Sequence, residues 1–285
     1  MNILVTNDDG IESEGLWHLA LALREASGAS VTIVAPREEH SGAAMSFLFR
    51  PTYEATEAPA PHPRFEGLKA YALDSTPVGC VSAAVLGALG ARPDLVVSGV
   101  NRGLNTGVSV MLSGTVGAAM AGACWGLPAM AVSLRVTASE PPDWRQASEL
   151  AARLLPALVS EAQREGPLVL NVNVPHLSKR PPLGYRQTQL STFFYGSALV
   201  LDGAERTANG HSLRYGFDAS RLPRGIDELT DDGALRAGYV SVTALRPLNS
   251  HERPSLDASL QALAVSSTPP ETAPGAPPAQ GAPGV

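Results

Sequence analysis

Cysteine is scarce in this chain. Only Cys80 and Cys124 occur in 285 residues, each in an apolar stretch, with no CxxC pairing and no nearby histidine. That excludes a disulfide scaffold and a zinc site of the ribbon type, and leaves two buried free thiols in a reducing compartment as the expectation. Positive charge is also lacking: the formal net charge is -6 and the pI is near 5.5, so nothing draws a long nucleic acid to the surface. The opening Met1-Asn2-Ile3-Leu4-Val5 has neither the basic start nor the cleavage site of a secretory signal, so a cytoplasmic location is expected. Residues 103–134 carry no charged side chain at all. They are nonetheless broken by Asn105, Thr106, Ser109, Ser113, Thr115 and Gly126-Leu127-Pro128, so buried interior is expected and not a membrane span. No GxGxxG follows the first apolar run, which argues against an NAD-dependent enzyme.

The first half of the sequence alternates short β-branched runs with helical patterns. That is the signature of βαβ units, so an α/β fold with a mostly parallel sheet and helices on both faces is predicted. Residues 3–6, 31–34, 71–73, 94–98 and 129–132 read as strands, and 15–26, 77–89 and 115–124 as helices. Asp74-Ser75-Thr76-Pro77 supplies cap residues and a first-turn proline to the second of these helices. After residue 135 the pattern changes to a helix over 144–163, strands at 168–172 and 238–243, hairpin-like punctuation over 184–225 and a short helix at 256–264. Three segments are expected: a catalytic core at 1–135, a part completing the sheet with an extension at 136–266, and a disordered Pro/Ala/Gly-rich tail at 267–285.

Ligands of open parallel sheets bind outside the carboxyl ends of the strands. Three polar, glycine-containing loops fall there: Asn7-Asp8-Asp9-Gly10, Glu38-Glu39-His40-Ser41-Gly42 and Gly99-Val100-Asn101-Arg102-Gly103. Adjacent carboxylates stay ionised most easily with a cation beside them, and hard oxygen donors of this kind suit magnesium or manganese. Asp8 and Asp9 are therefore the leading metal-binding and catalytic candidates, with Ser41 and Asn101 able to add a hydroxyl and an amide oxygen. An ordinary capped turn would give the same Asp-Asp-Gly. Ser113-Gly114-Thr115 opens a helix where free N–H groups favour a phosphate, although Ser113 or Thr115 could equally serve as its cap. Asn105 lies in the glycine-rich loop leading to it and is a further substrate-side candidate. His40 and Arg102 adjoin the candidate ligands, and a solvated surface role competes with proton donation for the first and phosphate neutralisation for the second. The other histidines, His18, His62, His176, His211 and His251, form no cluster in the sequence.

Taken together, Ile3 to Gly10, Ala35-Pro36 with Ser41-Gly42, Asp74 to Pro77, Ser98 to Gly103 and Ser113 to Val116 resemble the SurE family, the stationary-phase survival protein E nucleotidases. The likeness continues through Asn171 to Pro175 and Gly238 to Thr243. The resemblance implies a Rossmann-like core and a 5'-nucleotidase that also takes 3'-monophosphates and polyphosphate. It implies one divalent metal ion per subunit, magnesium or manganese, on Asp8, Asp9, Ser41 and Asn101. It further implies a nucleotide as the small-molecule partner and a homodimer or homotetramer built through the C-terminal extension. The chain departs from the family at Val108-Ser109, where an acidic residue is expected, at Leu112, where an aromatic or histidine is usual, and at Thr243-Ala244-Leu245 in place of Thr-Pro-Leu. Two rivals remain. A haloacid-dehalogenase-like phosphatase would need a second Asp two residues from its nucleophile, and here Asn7 and Gly10 occupy those positions. A nucleotide-binding regulator without turnover could use the same sheet edge.

Overall fold

The computed structural model describes residues 1–176, 181–222 and 227–247. The expected helix at 256–264 and the tail at 267–285 lie outside the described residues. Strand β1 (Asn2–Thr6) leads into helix α1 (Glu14–Ser27) and strand β2 (Ser30–Pro36). Strands β3 (Ala55–Glu57) and β4 (Lys69–Leu73), helix α2 (Pro77–Val85), strand β5 (Leu95–Arg102), helix α3 (Gly114–Cys124) and strand β6 (Ala129–Leu134) follow. Then come helices α4 (Trp144–Ala152) and α5 (Leu155–Glu165), strands β7 (Val169–Val174) and β8 (Tyr185–Thr188), the hairpin β9 (Leu199–Thr207) with β10 (Gly210–Phe217), helix α6 (Asp231–Arg236) and strand β11 (Val240–Leu245).

Nine strands form one sheet in the order β3-β4-β2-β1-β5-β6-β7-β11-β8. From β4 to β7 every neighbouring pair is parallel, while β3 and β11 run antiparallel to β4 and β7. The chain winds outward from β1 in one direction through β2 and β4, then returns to lay β5, β6 and β7 on the other side. β1 and β5 therefore flank the point where the winding reverses, which is where ligands bind in such sheets.

Period-two alternation decides which residue faces which layer. In β1, Ile3 and Val5 join the core under α1 and α4, whereas Leu4 joins the core under α2 and α3. β5 divides likewise, Leu95 and Val97 against Val96. Helix α1 contributes Leu16, Leu19 and Leu23, all fully buried, each worth about 1.5–3 kcal/mol of burial. Trp17 adds a bond from its indole Nε1 to the Ile11 carbonyl at 2.8 Å. α3 consists of small residues and packs so closely that a Cβ on Gly122 would lie 2.8 Å from Val96 Cγ2.

Several elements differ from the sequence reading. The helix expected over 144–163 is two helices, because Pro156 has no N–H to give the Ala152 carbonyl and its ring clashes there; α4 accordingly ends at Ala152. Helix α2 stops at Val85, short of Leu89, and β3 and α6 were not foreseen. Cys80 is buried as expected, but Cys124 is exposed, since it sits in the last turn of α3 where the helix leaves the sheet. Among the described residues, no helix is long and apolar enough to cross a membrane.

Candidate active site

The turn after β1 is built from its own side chains. Asn7 is fully buried and donates from Nδ2 to the Gly10 carbonyl at 2.9 Å. Gly10 turns the chain at φ +94°, a conformation that costs glycine little. The loop after β2 is stitched to this turn by two backbone bonds, Ile11 N to the Pro36 carbonyl at 2.8 Å and His40 N to the Asp8 carbonyl at 2.7 Å. Ser41, the residue after His40, is thereby brought beside the carboxylate loop. Its hydroxyl donates to Glu39 Oε1 at 2.7 Å, on an exposed stretch.

Asp8 is only 3% exposed and lies against the start of α3. Thr115 Oγ1 donates to its Oδ1, and a Cβ on Gly114 would stand 2.7 Å from Asp8 Cβ and 2.8 Å from Oδ2. Burial pushes the Asp8 carboxyl above the usual carboxylate range, opposed by the Thr115 hydroxyl and the N–H groups of Gly114 and Thr115. Asp9 is less enclosed. Its Oδ2 accepts from Arg102 N at 3.3 Å, and burial, followed by repulsion from Asp8, pushes its carboxyl up to about 6. Among the described residues, no Lys, Arg or His side chain forms an ion pair with either carboxylate.

Asn101 reaches this point through an irregularity in β5. The pairing with β6 runs Ser98 to Ala131 and then Asn101 to Ser133, so one extra residue is accommodated and the strand end is re-aimed. The Gly99-Val100 peptide within it is cis. Asn101 Nδ2 donates to the Gly103 carbonyl at 2.9 Å, which leaves its Oδ1 for another partner. Two carboxylates and a hydroxyl thus come from the loops after β1 and β2, and an amide oxygen from the end of β5. The candidate set is all-oxygen, places two acids side by side with no ion pair among the described residues, and in its donor chemistry fits a hard divalent ion. Among the described residues there is no cluster of three or more His, Cys, Asp or Glu that could hold a metal.

The substrate-side candidates are placed less simply. Ser113 spends its hydroxyl capping α3, accepting from Val116 N at 3.1 Å. Thr115 turns its hydroxyl to Asp8 and not to open space, because β1 ends directly against that helix turn. Ser113 thus takes the cap role the sequence offered as the alternative, Thr115 is committed to Asp8, and the phosphate expectation rests on the backbone N–H groups and dipole at the Gly114 end of the helix. Asn105 is anchored on all sides: its Nδ2 donates to Ser133 Oγ at 2.9 Å, its N to Asn173 Oδ1 at 2.8 Å, and its carbonyl accepts from Asn171 and Asn173, each at 2.9 Å. The alternation Asn171-Val172-Asn173 in β7, which puts both amides on one face of a buried strand, was the available signal for that anchor. His40 lines a cavity of about 390 Å³ with Arg37, Leu48, Arg50 and Asp74, a lining that includes neither Asp8 nor Asp9. Arg102 contributes its backbone N–H to Asp9, and its side chain is exposed.

The fold is a doubly wound α/β sheet with paired carboxylates at its switch point, the place where ligands of such sheets bind. The family model described as "Survival protein SurE" matches residues 3–197, and the chain belongs to that family. It is 37% identical over 246 residues to the 5'-nucleotidase SurE of Desulfitobacterium hafniense (strain DSM 10664 / DCB-2), covering 86% of this chain and 90% of the relative. It is 38% identical over 250 residues to the 5'-nucleotidase SurE of Haemophilus influenzae, covering 86% and 91%. The crystal structure of SurE protein from Aquifex aeolicus superposes with a TM-score of 0.69 at 27% identity, over 92% of this chain and 99% of that one.

Proposed function

We propose that this protein is a 5'-nucleotidase, a phosphomonoesterase that hydrolyses nucleoside 5'-monophosphates to nucleoside and phosphate with a divalent metal ion. The carrying observation is the Asp8–Asp9 pair: two adjacent carboxylates at the switch point, Asp8 only 3% exposed, and neither in an ion pair among the described residues. The names of its relatives support the substrate class.

A magnesium or manganese ion on Asp8, Asp9, Ser41 and Asn101 would supply charge to a phosphate oxygen and acidify a water for in-line attack. The chain's own groups divide the remaining work. Asp8 is held in one rotamer by Thr115 and the start of α3, so it serves as a fixed anchor. Asp9, with one oxygen on Arg102 N and the other uncommitted, is the residue that orients or deprotonates the attacking water. The positive end of α3 at Gly114 faces the same point and favours the charge that develops on phosphorus oxygens. Activity on 3'-monophosphates and polyphosphate belongs to the same proposal, since both present a terminal phosphate to this edge. So does assembly as a dimer or tetramer through the β9–β10 hairpin, where Leu199, Leu201, Tyr215 and Phe217 share one exposed face.

The test is phosphate release from a panel of nucleoside 5'- and 3'-monophosphates and polyphosphate, with manganese, magnesium or chelator, for wild type, Asp8→Asn and Asp9→Asn. Metal-dependent release that both variants lose is expected. A folded wild type that binds nucleotide after metal removal and releases no phosphate overturns the proposal in favour of a regulator.

A further inference from the structure

Asp231 and Asp232, at the start of α6, form a second pair of adjacent carboxylates, 0% and 7% exposed. Every oxygen of this pair is engaged. Asp231 accepts from Gly107 N at 2.8 Å, from Ser191 N at 2.9 Å and from Asp232 N at 2.9 Å. Asp232 accepts from Thr106 Oγ1 at 2.9 Å, Ser191 Oγ at 2.8 Å and Tyr195 OH at 3.0 Å. Apart from Asp232's own N–H, the donors belong to two segments remote in sequence, 106–107 and 191–195. These segments also bond to each other, Tyr195 N to Ser109 Oγ at 2.8 Å and Val108 N to the Phe193 carbonyl at 3.2 Å. Gly107 is pressed against the same strap, since a Cβ there would meet the Phe193 carbonyl oxygen at 2.5 Å.

What this lattice holds is the loop joining Asn101 to the start of α3. Asn105 immediately precedes Thr106, and its Nδ2 rests on Ser133, the cross-strand partner of Asn101. The three groups on Asp231 are backbone N–H and only donate, so an amide there would turn an N–H against one of them; the three on Asp232 are hydroxyls, which an amide could still satisfy but which lose their common partner if the carboxylate is removed. We propose that Asp231 and Asp232 are positioning residues for the phosphate-side loop, fixing Thr106–Gly107 so that Asn105 and the Gly114 end of α3 meet the substrate in register with Asp8 and Asp9. The catalytic consequence rests on the nucleotidase reading, whereas the clamp itself does not.

The test uses the full chain and the variants Asp232→Ala and Thr106→Val, with Asp231→Asn, which opposes N–H to N–H, as companion. Amide exchange over 104–112 should quicken at least tenfold in Asp232→Ala while peptides of β1 and β2 stay as in wild type. With a nucleoside 5'-monophosphate, kcat should fall tenfold or more, with KM and manganese affinity within threefold, because no candidate metal ligand belongs to the clamp. The Asp232→Ala/Thr106→Val double variant should be no slower than the worse single one, the mark of two residues acting through one contact. A kcat within twofold of wild type in both single variants overturns the proposal, as does unchanged exchange in the loop. With an inactive wild type the nucleotidase reading fails, and the exchange result alone upholds or overturns the clamp.

Discussion

Replacing Gly114 by alanine tests the geometry of the site most directly, because this glycine is what lets α3 begin against Asp8. The added methyl would lie 2.7 Å from Asp8 Cβ and 2.8 Å from Oδ2, and ordinary contact begins at 3.4 Å, so helix and carboxylate must part by about 0.7 Å. Asp8 has little room to yield, since Thr115 Oγ1 holds its other oxygen. A misplacement near 1 Å costs on the order of 100-fold in rate, so a loss of about 10- to 100-fold in kcat/KM is expected, roughly 1.4–2.7 kcal/mol of transition-state stabilisation. Overpacking costs about 1–3 kcal/mol of stability, part of it offset by alanine's better helix propensity. Gly28→Ala is the control: it sits at φ +63° with no atom within 4 Å of the new methyl, so it pays about 1 kcal/mol of backbone strain far from the site. Phosphate release, manganese titration and urea denaturation on both variants separate the effects. If Gly114→Ala keeps kcat/KM within threefold and binds manganese like wild type, the contact between Asp8 and α3 does not govern the site and the reasoning fails.

Three further outcomes follow from the same carboxylates. In chelator, Asp9 has a folded pKa of about 6 against an unfolded value of 3.8, so the folded state holds the extra proton between those values. Its contribution, up to about 3 kcal/mol, is therefore present below pH 4 and lost as pH rises through 6; urea midpoints at pH 4.5 and 7 should differ in wild type, less so in Asp9→Asn, and equal differences would refute the assignment. Thr115→Val removes the hydroxyl from Asp8, leaving a buried carboxylate short of a donor at a cost of about 1.5–3 kcal/mol. Manganese affinity in that variant should fall more at pH 6 than at pH 8, because the metal must displace a more tightly held proton; a pH-independent deficit would contradict this. Manganese at 100 times its dissociation constant should stabilise the folded chain by about 2.7 kcal/mol, read as a thermal shift that Asp8→Asn abolishes, and an unshifted wild type would remove the metal site.

The parts of the fold legible in the sequence are those whose signal is local and periodic. Ile3 to Thr6, Val31 to Val34 and Asp94 to Ser98 are apolar runs ended by Gly-containing polar loops, and the parallel arrangement then sends all three loops to one edge. The metal-ligand candidates followed from that edge alone. What escaped was settled by long-range contact or by one residue's local veto. β3 is three exposed residues with no pattern of its own, and it is a strand because Ala55 to Glu57 pair with β4. The break between α4 and α5 is a single proline's doing. Thr115 looked like a cap or a phosphate contact because only the folded sheet brings β1's end to within reach of its hydroxyl.

The two Asp-Asp-Gly tripeptides show why adjacency of charge is a weaker signal than it looks. Asp8-Asp9-Gly10 and Asp231-Asp232-Gly233 are identical in sequence, and the inference that neighbouring carboxylates call for a cation applies equally to both. The structure separates them. Six hydrogen bonds converge on Asp231 and Asp232, and every carboxylate oxygen of that pair is engaged. Asp8 receives the Thr115 hydroxyl and the N–H groups of Gly114 and Thr115, and Asp9 receives Arg102 N at 3.3 Å on one oxygen. What differs is place and commitment: Asp9 has no hydrogen bond to its other oxygen among the described residues, and it stands at the sheet's switch point near the end of β5, where Asn101 Nδ2 is engaged and its Oδ1 is not. Position and an uncommitted oxygen, and not the doubled aspartate, are what make the first pair the metal candidate of the proposed reading.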